Sequence, residues 1–545
     1  MGPALHKTIE RSAAPAAVGV ALERLLEERP DLESRLEEDG PLREALVAVV
    51  GASRSLTDLC LVEPAALDVL ADLDRRPPLA GDDLSSATLR RWKRLELLRI
   101  AARDLVGTDD LPEVGEALAR MAADVLEAAC AVAATDGVAV IGMGKLGGAE
   151  LNYASDVDVM FVADDPTAGE RAARGVLDVA RACFRVDVDL RPEGRDGPLV
   201  RSLASYEAYW ERWAQTWEFQ ALLKARPVAG DAALGKAFYD SAQERLWTRP
   251  FTPDDVRAVR AMKARVEGEL QRRGLADREI KRGRGGIRDI EFAIQLLQLV
   301  HGGFDPALRS PTTLDALAEL AASGYVEADD ARSLDHAYRL LRAVEHRLQL
   351  EQEQQVHALP GDPQALNRLA RVVGYRDSPE APAGEMLARY LRRQQAQVRS
   401  IHEHLFFRPL LDALSGAAGG TAALSEEAVE TRLTAFGFTD AARTRQALTE
   451  LTRGLTRSSR LMQQMLPLLL EWLSESPDPD LGLLGLRVLT SGEHRSGELA
   501  VAFRESPEAA RRLCVLVGTS RRLTQTLEHH PDLIPALGED DTLVP

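Results

Sequence analysis

Aromatic residues make up only 5% of this 545-residue chain, and cysteines number four. Cys60, Cys130, Cys183 and Cys514 are far apart, with no Cys-x-x-Cys or Cys-x-x-His pairing. That excludes a zinc ribbon or a disulfide framework and points to a reducing, cytoplasmic setting. No uninterrupted apolar run approaches the ~20 residues that span a bilayer. The opening Met-Gly-Pro-Ala-Leu-His-Lys has no apolar core of the signal-peptide kind. No membrane partner is expected. Positive charge is also short: 67 Lys and Arg against 85 Asp and Glu leave a net −18. A field of that sign repels phosphate backbones, so nucleic acid is not an expected partner. Any phosphate-bearing ligand requires a local reversal of charge.

What is present is a globular composition, 45% hydrophobic and 28% charged, which excludes global disorder. The length suggests three or four domains at roughly 150 residues each. Ala, Leu, Arg and Glu dominate, with apolar residues at three- and four-residue steps, so most of the chain reads as helix. One window departs from this. Gly-Val-Ala-Val-Ile-Gly-Met-Gly from Gly137 reads as a buried strand, and 157–162 and 184–190 are two more candidates. The expected fold is mainly α with one small α/β domain. Composition breaks place a helical region at 1–107, the α/β domain at 108–248, a helical bundle completing the site at 249–414 and a last helical region at 425–545. The bundle opens on a Thr252 cap before Pro253, and 415–421 is a small-residue linker.

The chain also repeats itself. Residues 46–67 (LVAVVGASRSLTDLCLVEPAAL) and 513–534 (LCVLVGTSRRLTQTLEHHPDLI) align without gaps and share a Gly-x-Ser-Arg-x-Leu-Thr core. Identical Gly, Ser, Thr and Pro are not helix-composition effects, which favours duplication. The offset of 467 residues suggests one unit plus the opening helices of another, as in a fragment of a longer protein.

The chemistry concentrates at 142–162, GMGKLGGAELNYASDVDVMFV. Asp156 and Asp158 are one residue apart in an alternating segment, so both carboxylates project from one face. Two carboxylates that close repel unless a cation or proton lies between them. Mg2+, which takes carboxylate and phosphate oxygens, is the expected ion, with Mn2+ the alternative. The pair follows a Gly-rich turn, Gly144-Lys145-Leu146-Gly147-Gly148, whose backbone N–H groups can approach a phosphate. On 184–190, Asp187, Asp189 and Arg191 are expected to share a strand face. Three carboxylates on adjacent strands suit in-line phosphoryl or nucleotidyl displacement. The Walker A loop is absent, and the letters of a dinucleotide fingerprint at Gly142–Gly147 lack its supporting ribose acid.

At Gly-Lys-Leu-Gly-Gly-x-Glu-Leu-Asn-x-x-Ser-Asp-x-Asp the sequence resembles the glutamine synthetase adenylyltransferases, bifunctional members of the DNA-polymerase-β-like nucleotidyltransferase superfamily. The likeness continues through Leu190-Arg191-Pro192-Glu193-Gly194, Gly197-Pro198-Leu199-Val200, Trp217-Glu218, Lys224-Ala225-Arg226 and Gly285-Gly286-Ile287-Arg288-Asp289-Ile290-Glu291-Phe292. It implies a nucleotidyltransferase sheet flanked by helical bundles. It further implies the N-terminal, adenylyl-removing unit, in which orthophosphate releases AMP from the adenylyl-tyrosine of glutamine synthetase as ADP. The other activity of such enzymes is adenylyl transfer from ATP, and a non-catalytic module binding nucleotide or a PII-type signalling protein is the third reading. By resemblance Asp156, Asp158 and Asp187 hold metal, Gly147, Gly148 and Ser155 line the phosphate site, and Lys224 and Arg226 meet the nucleotide or phosphate. The family more often has Arg at the position of Asp189, which leaves that residue as an extra ligand or as a weakening of phosphate binding.

The charge reversal demanded above is present. Between residues 257 and 288 eleven basic side chains face four acidic ones. The sharpest part is Lys281–Arg288, KRGRGGIR, with guanidiniums beside a Gly-Gly at a helix start. In the helix that follows, Ile287, Ile290, Ile294, Leu297 and Val300 are the expected core stripe, and Arg288, Glu291, Gln295 and Gln298 a polar one. Lys145, Arg191, Lys281, Arg288 and Glu291 join the expected phosphate-binding set. The next helix, with Arg342, Glu345, His346 and Arg347, is assigned to bundle packing. Tyr206, Tyr209, Trp210, Trp213 and Trp217, at near-helical spacing, read as core rather than as an adenine platform.

Overall fold

The computed structural model describes residues 1–79, 84–249 and 278–415, and from there 433, 437–452, 469–470, 472–474, 476–490, 499, 507–531 and 533–537. The Thr252 cap, the 416–421 part of the linker and most of the basic segment before 278 lie outside the described residues. Two compact units emerge, Met1–Pro250 with Val266–Val398, and Phe251–Arg265 with Arg399–Pro545.

The first unit is mainly helical around one small mixed sheet. Its strands are β1 (Val138–Gly142), β2 (Val157–Ala163), β3 (Val186–Asp187), β4 (Val200–Arg201) and β5 (Arg226–Gly230), in the order β3-β2-β1-β5 with β4 also on β2. β1 is a β-branched run buried at all five positions, as a central strand requires. It pairs antiparallel with β2 from Val138↔Ala163 to Gly142↔Val159. β3 pairs parallel with β2, which sets Asp158 opposite Asp187.

Two local expectations are corrected. The strand expected over 184–190 stops at Asp187, because the Asp189 backbone N–H donates to Asp187 Oδ1 at 2.7 Å and turns the chain away. Glu193 and Gly194 follow at φ +63° and +58°, so Asp187, Asp189 and Arg191 do not share a strand face. The Gly-rich turn is a one-turn helix, Gly144–Gly147.

The Leu111–Val132 helix positions this turn. It starts on a capping box between Asp110 and Glu113, with Pro112 in its first turn. At Gly115 the helix comes so close to the chain beyond the turn that a Cβ would meet Glu150 Cα at 3.2 Å. A single apolar core runs from Leu5 through the N-terminal helices into β1 and β2. The Ala328–Leu350 helix is tied to it by Arg347, whose Nη2 donates to Asp104 Oδ1 at 2.7 Å, while Tyr153 OH donates to Asp104 Oδ2 at 2.7 Å. Arg347→Met removes the only cation on a buried carboxylate in this triad, and is expected to lower unfolding stability by ~3–5 kcal/mol in urea titration. A change within ~0.5 kcal/mol would show the pair to be solvated.

The Ile287–His301 helix buries Ile287, Ile290 and Ile294 as expected, but continues with Leu296 and Leu299 rather than Leu297 and Val300. Gln298 draws that turn inward, its Nε2 donating to the carbonyls of Leu308 and Ser310, both at 2.7 Å. Three of the five grouped aromatics, Tyr206, Tyr209 and Trp210, are core, while Trp213 is exposed.

In the second unit the described residues include Pro507–Val517 and Arg521–His529. The latter helix has the bounds of Arg54–Val62 moved on by the 467-residue offset, after a serine in the same extended conformation (Ser53 φ −139°, Ser520 φ −156°). The breaks before the two helices differ, since Ser53 alone follows Ala52 in the first copy while Gly518, Thr519 and Ser520 follow Val517 in the second. Among the described residues no helix is long and apolar enough to cross a membrane.

Candidate functional site

The Gly144–Gly147 turn, the start of β2 and the end of β3 converge on Asp158. Gly144, at φ +51°, approaches so closely that a Cβ there would lie 2.8 Å from Asp158 Oδ2. Burial, then Asp187 and Asp156, push the Asp158 carboxyl up to about 7, while Lys145 and Lys281 pull the other way. Asp156 lies one residue before β2 and is partly open, with Arg185 Nε at 3.0 Å and Gln355 Nε2 donating to Oδ2 at 3.2 Å. Among the described residues no three His, Cys, Asp or Glu side chains are drawn together as a metal shell. The donor chemistry nevertheless fits a hard divalent ion. Asp158 faces Asp187 on the neighbouring strand and carries a carboxyl that its neighbours make reluctant to ionise without a cation.

The expected phosphate-binding residues divide into two groups. Most of those in the first group are spent on structure. Gly147 and Gly148 donate their N–H groups to Met143 O and Gly144 O within the one-turn helix, both at 3.0 Å. Arg226 Nε and Nη2 donate to Gly147 O and Leu146 O at 3.0 Å each, and so close that helix's C-terminal end. Arg191 is buried and braces the loop after β3 through the carbonyls of Val188, Arg195 and Gly197. Lys224 is buried between Glu150 and Thr313, with its Nζ 3.1 Å from Thr313 Oγ1. Asp189 is paired with Arg195 Nε at 2.6 Å. Ser155 is half-buried next to Ala154, whose N–H donates to Gln349 Oε1 at 3.0 Å.

In the second group Lys145 and Lys281 act electrostatically on Asp158. Lys145 and Lys281 approach Glu345 at 3.5 and 3.7 Å. Burial lowers the Lys145 amine to about 7, with Glu345 opposing the fall. Burial also lowers the Arg288 guanidinium from its ordinary range. Glu291 accepts from Tyr338 OH at 3.4 Å. Burial works against its ionisation, but Lys224, Lys145, Arg342 and Lys281 together hold its carboxyl below the usual range.

Sequence reasoning missed Glu345 and Glu150. Glu150 accepts from Thr313 N at 2.6 Å and anchors Lys224. Glu345 is fully buried. Its signal was its place in the Tyr338/Leu341/Leu348 stripe, where steps of three, four and three put a carboxylate on the core face. Arg342, assigned to packing, donates to Glu150 O at 2.8 Å and Asn152 Oδ1 at 2.6 Å, and so fixes the chain leading to Asp156.

Parts of the chain are similar to known proteins. Residues 69–241 match the family model of glutamate-ammonia ligase adenylyltransferase, and residues 260–406 that of GlnD PII-uridylyltransferase. The bifunctional glutamine synthetase adenylyltransferase/adenylyl-removing enzyme of Streptomyces avermitilis is 40% identical over 577 residues, covering 99% of this chain and 57% of that enzyme. Its Streptomyces coelicolor counterpart is 41% identical, covering 98% and 57%. That of Nocardia farcinica is 40% identical, covering 92% and 55%. The chain thus spans about half the length of the curated relatives it matches. It is a homologue of these bifunctional enzymes over that half, and its small sheet lies within the residues similar to the glutamate-ammonia ligase adenylyltransferase model.

Proposed function

We propose that the first unit removes AMP from the adenylylated tyrosine of glutamine synthetase by phosphorolysis, in the cytoplasm. The observation that carries the reading is the Asp158–Asp187 pair at one strand register, with Asp156 beside it and Lys145 and Lys281 behind. An oxygen of orthophosphate forms the new bond to the adenylyl phosphorus, the bond to the tyrosine oxygen breaks, and the phenolate takes up a proton. The products are ADP and unmodified tyrosine. Asp156, Asp158 and Asp187 would hold a divalent ion, Mg2+ or Mn2+, which when bound supplies charge neutralisation at the phosphate oxygens. Lys145 and Lys281 offer positive charge to the same oxygens, and Gly144 keeps the turn tight against Asp158 so that little water enters.

Adenylyl transfer from ATP to the tyrosine, with pyrophosphate as the leaving group, would use the same groups. One assay separates them: the chain is incubated with adenylylated glutamine synthetase and Mg2+, with and without orthophosphate, and the released nucleotides are separated. Phosphate-dependent ADP is expected. AMP release, or release indifferent to phosphate, refutes phosphorolysis. Radiolabel passing from ATP to unmodified glutamine synthetase would establish the transfer reaction instead. Neither product, with a PII-type protein bound, would leave a regulatory module.

A further inference from the structure

One buried carboxylate is shared among three cations. Glu345 is 0% exposed on the Ala328–Leu350 helix. Its Oε2 faces Lys145 Nζ, from the Gly144–Gly147 turn, at 3.5 Å and Arg342 Nε, from its own helix, also at 3.5 Å. Its Oε1 faces Lys281 Nζ at 3.7 Å and His357 Nδ1 at 2.9 Å. The cationic separations are longer than hydrogen bonds. Lys145 Nζ and Arg342 Nε are enclosed without a hydrogen-bond partner, while His357 Nδ1 stands at hydrogen-bond distance from Glu345 Oε1. The neighbouring structural ion pairs behave differently. Arg347 donates twice to Asp104, and Lys224 is locked between Glu150 and Thr313. Such pairs use up their donors.

Glu291 acts electrostatically on the same three cations, so three positive charges face two carboxylates in an interior where an unpaired charge is costly. Lys145 and Lys281 both act electrostatically on Asp158 as well. The two ammonium groups therefore border the carboxylates on one side and Glu345 on the other. We propose that Glu345 is a positioning residue. From behind, it holds the Lys145 and Lys281 ammonium groups as a spaced pair whose donors stay available to a phosphoryl anion. The anion is either the phosphate chain of a nucleotide or free orthophosphate. This rests on the phosphoryl chemistry proposed above. It adds that an acid contacting no substrate sets the site's anion affinity.

The test compares the whole chain with Glu345→Gln, Glu345→Asp and Arg347→Met. Binding of ADP and of orthophosphate is measured by calorimetry in separate titrations, beside thermal unfolding. Glu345→Gln is expected to weaken binding roughly 10–100-fold, with Glu345→Asp recovering part of the loss. Arg347→Met should reduce stability with affinity unchanged. Anion affinity in Glu345→Gln equal to that of the parent overturns the proposal, as does a loss no greater than in Arg347→Met. Loss confined to ADP assigns the pair to the nucleotide, and loss in both titrations assigns it to any phosphoryl anion. Mass-spectrometric labelling of Lys145 by an amine-reactive ester gives a readout independent of the functional reading. Release from Glu345 should change its rate several-fold in Glu345→Gln, and an unchanged rate overturns the positioning role even where the parent binds no nucleotide. Should Glu345→Gln not fold, Glu345→Asp carries both measurements, and its identity with the parent in both overturns the proposal.

Discussion

Asp158→Asn is expected to abolish turnover and to make the metal-free protein more stable near neutral pH. Both effects have one cause. Burial and the facing carboxylates of Asp187 and Asp156 raise the folded-state value from 3.8 to about 7. Between those two pH values the folded protein retains a proton that the unfolded chain gives up. Stability from the neutral carboxyl is therefore complete below 3.8 and is lost as pH rises through about 7. The gap corresponds to an upper bound of roughly 4 kcal/mol, reduced by whatever solvent reaches the site. Asn has no proton to lose. Thermal unfolding between pH 4 and 8 should show the parent falling across that window and Asp158→Asn staying level. Added Mg2+ or Mn2+ should raise the parent alone. Turnover should drop at least ~100-fold, since even the outer partners of a metal ligand are worth 10–100-fold. Parallel pH profiles for parent and variant would refute the assignment of Asp158 as the strained, cation-seeking carboxylate.

The Asp-x-Asp spacing and the β-branched run at 138–142 were visible in the sequence because each depends on local periodicity. So was the helix that follows Ser53 and Ser520, which rests on repeated letters. Partners distant in sequence were not visible. Nothing local distinguishes Lys224, which is anchored by Glu150, from Lys145, whose ammonium stands off from Glu345. The two are separated from those acids by 74 and 200 positions. Alternation at 184–190 predicted a strand twice over, yet one side-chain acceptor on Asp187 was enough to turn the backbone after it. Periodicity identifies the inward face of a helix, yet Glu345, an acid on that face, was read with its neighbours as bundle packing. The cations waiting on that face were fixed only by the packing of the Gly144–Gly147 turn and the 278–286 segment against it.

That packing depends on a single absent methyl group, and Gly147→Ala is expected to disrupt it. A Cβ at 147 would lie 1.6 Å from Lys224 O and 2.5 Å from Gly142 O. Both are backbone atoms, the latter in β1 and the former just before β5, so neither can swing aside as a side chain would. The turn itself must move outward. Arg226 would then lose its bonds to the carbonyls of Gly147 and Leu146. Gly144 would lift from Asp158, and Lys145 would leave Glu345. Overpacking of this kind costs about 1–3 kcal/mol or more. A displacement near 1 Å can cost on the order of 100-fold in rate. The neighbouring Gly148→Ala provides the control, because its Cβ would meet Pro311 O at 3.0 Å and the flexible Lys224 Cδ at 3.1 Å. Turnover and urea midpoints for the two variants should differ sharply, with Gly147→Ala losing both and Gly148→Ala losing less of each. Parent-like turnover in Gly147→Ala would mean that the turn can shift without disturbing the carboxylates. In that case the placement of Lys145 beside Asp158 could not be what the glycine protects.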